Sequence, residues 1–212
     1  CSGCYTTLKK TDTYYKTYPK LKEEIDSALE EIGMKYKGGV KVRHLLDVLI
    51  NDVGYEKIKS KVVKPLKGLK VACYYGCQIV RPECGFDDPE LPTSMDKLVE
   101  TLGGTPVYFP MKTRCCGGML MGTKQDLALR MTKNLLLSAY RNHADIMITV
   151  CPLCQMNIDL YQDKVKDMFK EKFDMPILYF TQLMALAMGI NKKELLLNSH
   201  IVSPEKQLQK FV

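Results

Sequence analysis

Arg114-Cys115-Cys116-Gly117-Gly118 is a stretch that packing alone explains poorly, because two adjacent cysteines run directly into two glycines. Cys77 lies upstream of it and the pair Cys151 and Cys154 lies downstream. Cysteines so dispersed act together only if a fold gathers them, so the segments between them decide the reading. Leu69 to Tyr75 reads as a strand that leads into the loop around Cys77. Ser94 is placed to cap a helix running to Leu102, where Gly103-Gly104 ends it. Thr105 to Phe109 reads as the next strand, ahead of the Cys115-Cys116 loop. Thr123 with Asp126 resembles a capping pair opening a helix over Leu127 to Tyr140, and His143 sits where it would cap the far end. Asp145 to Val150 is a third strand, and Pro152 suits the first turn of a helix reaching about Lys172. Ile177 to Phe180 and Thr181 to Met188 supply a last strand and helix. Strands alternating with helices predict a parallel α/β sheet.

On this map Cys77, Cys115-Cys116 and Cys151 each follow the carboxyl end of a strand, which is where open parallel sheets hold ligands. Cys154, one helical turn beyond Cys151, faces the same way. Gly76, Gly117 and Gly118 allow close backbone approach to a bulky group, and their amides can donate to sulfur. A zinc site takes four ligands in a tetrahedron, rarely from adjacent residues, whereas a cluster of several irons can use both members of a Cys-Cys pair. Five thiolates therefore point to iron-sulfur chemistry first. Zinc and a thiol-disulfide site at Cys115-Cys116 are the alternatives.

Farther out, Leu21, Ile25, Ala28, Leu29 and Ile32 recur at helical spacing after a polar, Tyr-rich segment, and Gly33 stops the pattern. Arg43 to Val53 reads as a second short helix ended by Gly54, with His44 at its start as a surface or capping residue. Lys57 to Lys70, basic and holding Pro65 and Gly68, reads as a connection. The chain opens on Cys1-Ser2-Gly3-Cys4, a pair whose partners would lie upstream. Nine cysteines, an odd number, with no secretory signal and no apolar run of about 18 residues, argue against a disulfide framework or a membrane span. They suit thiolate ligands in a reducing, cytoplasmic compartment. A formal charge of +7 suits an anionic small molecule or an acidic partner. No nucleic-acid-binding module or clustered basic, aromatic stripe accompanies it, so nucleic acid is set aside.

Four segments together resemble a known family: Tyr74-Tyr75-Gly76-Cys77 with Arg81-Pro82, Phe86-Asp87-Asp88-Pro89, Cys115-Cys116-Gly117-Gly118 and Cys151-Pro152-Leu153-Cys154. The cysteines are similar to those of the cysteine-rich CCG-domain proteins, and the Arg-Pro and Phe-Asp-Asp-Pro elements to the B-type polypeptide of CoB-CoM heterodisulfide reductase. The resemblance implies two pseudo-repeated CCG-type halves with parallel βαβ units. Residues 1–68 would be the remainder of the first half plus connecting helices, 69–190 a complete CCG domain, and 191–212 a tail. It implies a noncubane [4Fe-4S] cluster on Cys77, Cys115, Cys116, Cys151 and Cys154, with Cys1 and Cys4 as the closing pair of a second cluster's motif. Cys77, Cys115 and Cys116 would be catalytic, and Arg81, Lys112, Arg114 and Lys124 are candidates to bind an anionic substrate. The implied reaction is reduction of the CoM-S-S-CoB heterodisulfide to two thiols in methanogenesis. The A-type and C-type polypeptides of the same reductase would be the partners, and hydrogenase or formate dehydrogenase the more distant ones. Relatives serving lactate or glycolate oxidation or thiol-dependent fumarate reduction are the runner-up, and a zinc-structured binding module is the competitor from another class. Cys73 and Cys84 fall outside the pattern, the first as a small buried residue on a strand and the second as a loop thiol.

Overall fold

The computed structural model describes residues 1–81 and 85–211, so Cys84 and Pro82 lie outside the described residues. Helices α1 (Ser2–Thr17) and α2 (Pro19–Glu31) open the chain. The Tyr-rich segment is thus itself helical. Pro19 keeps the residue before it out of helical geometry, and Tyr18 is extended with φ −112° and ψ 100°. Where one short helix was expected over Arg43 to Val53 there is α3 (Leu45–Val48) followed by a π-helical turn (Leu49–Val53). Gly54 ends it as predicted, and α4 (Tyr55–Lys59) follows.

Among the described residues four strands form the sheet: β1 (Lys70–Tyr74), β2 (Thr105–Pro106), β3 (Ile146–Thr149) and β4 (Ile177–Tyr179). Their order is β2-β1-β3-β4 and every pairing is parallel, with Val71 opposite Ile146 and Thr149 opposite Tyr179. The α/β reading therefore holds. β2 is shorter than the expected Thr105 to Phe109, pairing with β1 only through Thr105 and Pro106. Beyond Pro106 the chain turns toward the Cys115 loop.

Alternation along β1 supplies two cores. Val71, Cys73 and Tyr75 face one side, with Met95, Leu98 and Val99 of α5 (Ser94–Thr101) and Leu183 and Leu186 of α9 (Phe180–Ala187). Leu46 and Ile58 from the first helices, and Leu195, Leu197, Leu208 and Phe211 from the end of the chain, pack into the same core. Ala72 and Tyr74 face the other side, with Leu129, Leu135 and Leu136 of α6 (Gln125–Arg141), Ile158 of α7 (Pro152–Leu160) and Val165 of α8 (Gln162–Phe169). The single helix expected from Pro152 to about Lys172 is divided at Tyr161. Cys73 is fully buried, and burial pushes its thiol well up, as suits a packing residue. The last helix is α10 (Glu205–Leu208). No helix among the described residues is long and apolar enough to cross a membrane.

Two helix starts differ from the sequence reading. Lys124, not Thr123, is the residue ahead of α6, and no side chain caps it. At the other end of α6, His143 takes a left-handed φ of 59° and its amide bonds the Tyr140 carbonyl, so it closes the helix through its backbone. Helix α5 is not capped by Ser94, whose buried hydroxyl has no partner among the described residues. Asp87 takes that role, accepting from the amides of Thr93 and Ser94 at 3.0 and 2.8 Å. The Tyr75 hydroxyl accepts from Met95 and Asp96 at 2.7 and 3.1 Å, so the orphan amides of the first turn are satisfied from the loop and from the end of β1 together. Asp87→Ala should therefore cost about 1 kcal/mol, in the ~0.5–2 kcal/mol range of lost N-caps. Chemical denaturation measures this, and Asp87→Asn should restore most of it.

Candidate metal centre

Parallel strands end on a common edge, and here β1, β2 and β3 each lead into a cysteine loop. Backbone bonds bring these loops together. The amides of Tyr75 and Gly76 both donate to the Lys112 carbonyl, at 2.9 and 3.0 Å, and the Tyr74 hydroxyl donates to the Arg114 carbonyl at 2.7 Å. These three bonds hold the Cys115-Cys116 turn over the end of β1. Beyond β3, Cys151 stands immediately ahead of α7 and Cys154 lies buried in its first turn.

The five sulfurs form a row of neighbours. Cys77 touches Cys115, Cys115 touches Cys116, Cys116 lies 3.5 Å from Cys154 between sulfurs, and Cys154 touches Cys151. Cys116, Cys151 and Cys154 are buried, whereas Cys77 and Cys115 are half-buried, so the row opens toward solvent at the Cys77 end. Gly117 and Gly118 direct their amides at the sulfurs of Cys115 and Cys116, each at 3.4 Å. A β-carbon at Gly76, where φ is +71°, would stand 3.6 Å from the Cys154 sulfur. The Cys116 carbonyl is held by Thr132 Oγ1 at 3.0 Å and Asn157 Nδ2 at 3.1 Å. That leaves the buried Asn157 Oδ1 without a donor among the described residues.

Electrostatics divide the row. Cys115 is held down at about 2 by hydrogen bonds from the Cys116 and Cys77 thiols, with the Gly117 amide and the Arg81 charge adding to them. Cys151 is held down to about 5 by the Cys154 thiol and by the amides of Cys154, Leu153 and Gly3. The N-terminal amides of two helices, α7 and α1, thus face one sulfur. Cys77, Cys116 and Cys154 are pushed up, chiefly because each shares its proton with an ionised neighbour. Five adjacent thiols cannot all ionise without a cation among them. A multivalent metal group would remove that conflict, and the dry floor and glycine amides fit a thiolate-bound one. Among the described residues no three His, Cys, Asp or Glu side chains converge as a single ion needs. A row of pairwise neighbours suits several metal centres better than one tetrahedral ion.

Of the other residues singled out in the sequence, Arg81 is exposed and close enough to Cys115 to stabilise its thiolate. Arg114 and Lys124 are exposed beside the same loop. The Lys112 ammonium is occupied, donating to the Pro92 carbonyl at 2.8 Å and to both Asp96 oxygens at 3.0 and 2.9 Å. Cys1 and Cys4 are exposed at the start of α1.

His44 exceeded its sequence reading. It does cap α3, its Nδ1 accepting from the Leu46 amide at 3.1 Å, but it is buried, and that burial pushes it down to about 4. Its Nε2 faces Ser2 Oγ at 3.4 Å, and Phe86 stacks on its ring with centroids 6.5 Å apart. Ser2 Oγ and the Tyr179 hydroxyl both donate to the Val150 carbonyl, at 3.1 and 3.0 Å, just ahead of Cys151. The Phe86-Asp87 element therefore joins the His44 packing to the α5 cap. Tyr179 carries no motif that would have marked it, and Ser2 lies inside the Cys1–Cys4 pair, whose cysteines alone were singled out.

Comparison with known proteins agrees with this geometry. The cysteine-rich (CCG) domain profile matches residues 71–159, which hold all five thiols of the row. The 8-methylmenaquinol:fumarate reductase membrane anchor subunit of Wolinella succinogenes is 40% identical over 208 residues, 97% of this chain and 72% of that protein. The B-type polypeptide of the ferredoxin:CoB-CoM heterodisulfide reductase of Methanosarcina mazei is 32% identical over 215 residues, 100% of this chain and 71% of that protein. A crystal structure of a hypothetical protein from Helicobacter pylori shares the fold with a TM-score of 0.72 at 15% identity, over 94% of this chain and 36% of that one. The chain belongs to the cysteine-rich CCG family, among the relatives of the B-type heterodisulfide reductase polypeptides.

Proposed function

We propose that Cys77, Cys115, Cys116, Cys151 and Cys154 hold an iron-sulfur cluster and that the chain serves as a redox component of a multi-subunit oxidoreductase. The observation that carries this is the row itself, in which five thiols neighbour one another with amides aimed at their sulfurs. When bound, such a cluster accepts and passes electrons one at a time. On the finer level we propose reduction of an anionic disulfide of the CoM-S-S-CoB type, two electrons and two protons giving two thiols. Substrate would approach the half-buried Cys77–Cys115 end. Arg81 would hold an acidic group there, with Arg114 and Lys124 beside it. Lys112 is the weakest of the four candidates because Asp96 already neutralises it. Heterodisulfide reductase polypeptides of the A and C types would deliver electrons, a second noncubane cluster would use the Cys1 and Cys4 pair, and the cytoplasm is the proposed compartment.

A second reading is favoured by the 40% identity to the fumarate reductase subunit. In it the same row relays electrons within a quinol-linked complex and meets no disulfide. Iron and acid-labile sulfide, measured on the anaerobically purified protein, test the shared part. Four or more irons per chain are expected, and zinc without sulfide would overturn it. EPR of the oxidised sample before and after coenzyme M separates the two readings. A new paramagnetic signal on adding the thiol supports disulfide reduction, and an unchanged spectrum supports the relay.

A further inference from the structure

Helix α1 crosses both ends of the thiol row, and the residues that fasten it are Ser2, which lies between Cys1 and Cys4, and Thr6 just beyond that pair. Ser2 and Thr6 are four positions apart and so share one helix face. They are also the buried small polar residues of this helix. Ser2 Oγ donates to the carbonyl of Val150, the residue before Cys151. Thr6 Oγ1 donates to the carbonyl of Gln78, the residue after Cys77, at 2.6 Å. Between them the Gly3 amide faces the Cys151 sulfur. One helical turn therefore spans from the first to the last member of the row.

We propose that Ser2 and Thr6 are positioning residues, and that α1 is a strap fixing how far the Cys77 loop stands from the Cys151 loop. The strap rests on the reading that the row holds a metal group, and it adds a determinant that the five ligands do not contain. The two loops share other ties. Cys77 meets Cys115 through the bonds to the Lys112 and Arg114 carbonyls, and Val150 keeps its bond from Tyr179. Loss of the strap should therefore loosen the ends of the row without dispersing it. The Gln78 side chain adds to the effect, because its Nε2 lies 3.8 Å from the Cys77 sulfur and moves with the same loop.

The test compares the parent protein with Ser2→Ala, Thr6→Val and the double variant, and includes Thr6→Ser as the conservative control. Amide hydrogen exchange across residues 76–80 and 150–154 should quicken about tenfold in the double variant and recover in Thr6→Ser. The iron centre should be lost to a chelator about 10-fold faster, in line with outer-shell partners of metal ligands, and its EPR line shape should change at unchanged initial iron content. Unchanged exchange in both loops overturns the strap whether or not the protein binds iron. If the parent binds no iron, the metal reading fails while the exchange data still decide the strap. A general fall in stability is told apart by equal quickening in α6, which the strap does not touch.

Discussion

Gly117→Ala should strip the thiol row of the metal group proposed for it and destabilise the face that carries the row. A β-carbon at this position would lie 2.9 Å from the Ala128 Cα and 3.1 Å from the Ala128 carbonyl oxygen. Both are backbone atoms of α6, so no side-chain rotation relieves the overlap. The residue also sits at φ +84°, a left-handed conformation that costs an alanine about 1 kcal/mol or more. Overpacking against a rigid element adds about 1–3 kcal/mol, giving a loss of about 2–4 kcal/mol against a typical folding margin of ~5–15 kcal/mol. Part of the strain could be relieved by shifting the turn away from α6, but that turn aims the amides of Gly117 and Gly118 at Cys115 and Cys116. Either route disrupts the site. Denaturation midpoint and iron content should fall together. A variant with parental iron and stability would mean that the turn reaches its sulfurs by another path.

The sheet and the gathering of the five cysteines were legible in the sequence because both rest on short-range regularities. Apolar runs of strand length, helix patterns between them and glycines at the turns place each cysteine loop at a strand end, and parallel pairing does the rest. Helix capping was less legible, since a cap can come from far along the chain. Asp87 lies seven residues before Ser94, and the Tyr75 hydroxyl reaches α5 from a strand, so neither is a local pattern. The parts of the site furthest from a motif were hidden for the same reason. Ser2 meets Val150 across 148 positions, and Asn157 meets Cys116 across 41. Nothing in the residues around them signals contacts at such separations. Lys112 shows the converse, a cation next to the cysteine loop in sequence whose charge is taken up by Asp96 once the chain folds.

Single replacement of cysteines should separate a several-iron centre from a zinc site with a large margin. Five thiols stand in the row, and a tetrahedral zinc needs four. Losing Cys77, at the half-buried end, would leave four thiols, Cys115, Cys116, Cys151 and Cys154, the number a zinc ion takes if the loops close around it. A cluster that uses all five has no spare ligand, so Cys77→Ala and Cys154→Ala should each reduce bound iron about tenfold or more, since even outer-shell losses reach that scale. Cys73→Ala is the matched control. Cys73 lies one residue before Tyr74 on β1 and is as buried as any residue of the core, yet it faces the side of the sheet away from the row. Its replacement removes one buried sulfur and should cost about 1 kcal/mol of stability while leaving iron and sulfide at the parental level. Iron and acid-labile sulfide per chain, taken on the three variants with their denaturation midpoints, give the answer. If Cys77→Ala keeps zinc and carries no acid-labile sulfide, the row holds an ion on four thiolates and the electron-transfer reading falls with the cluster, whereas iron and sulfide kept together mean a cluster held by four of the five thiols.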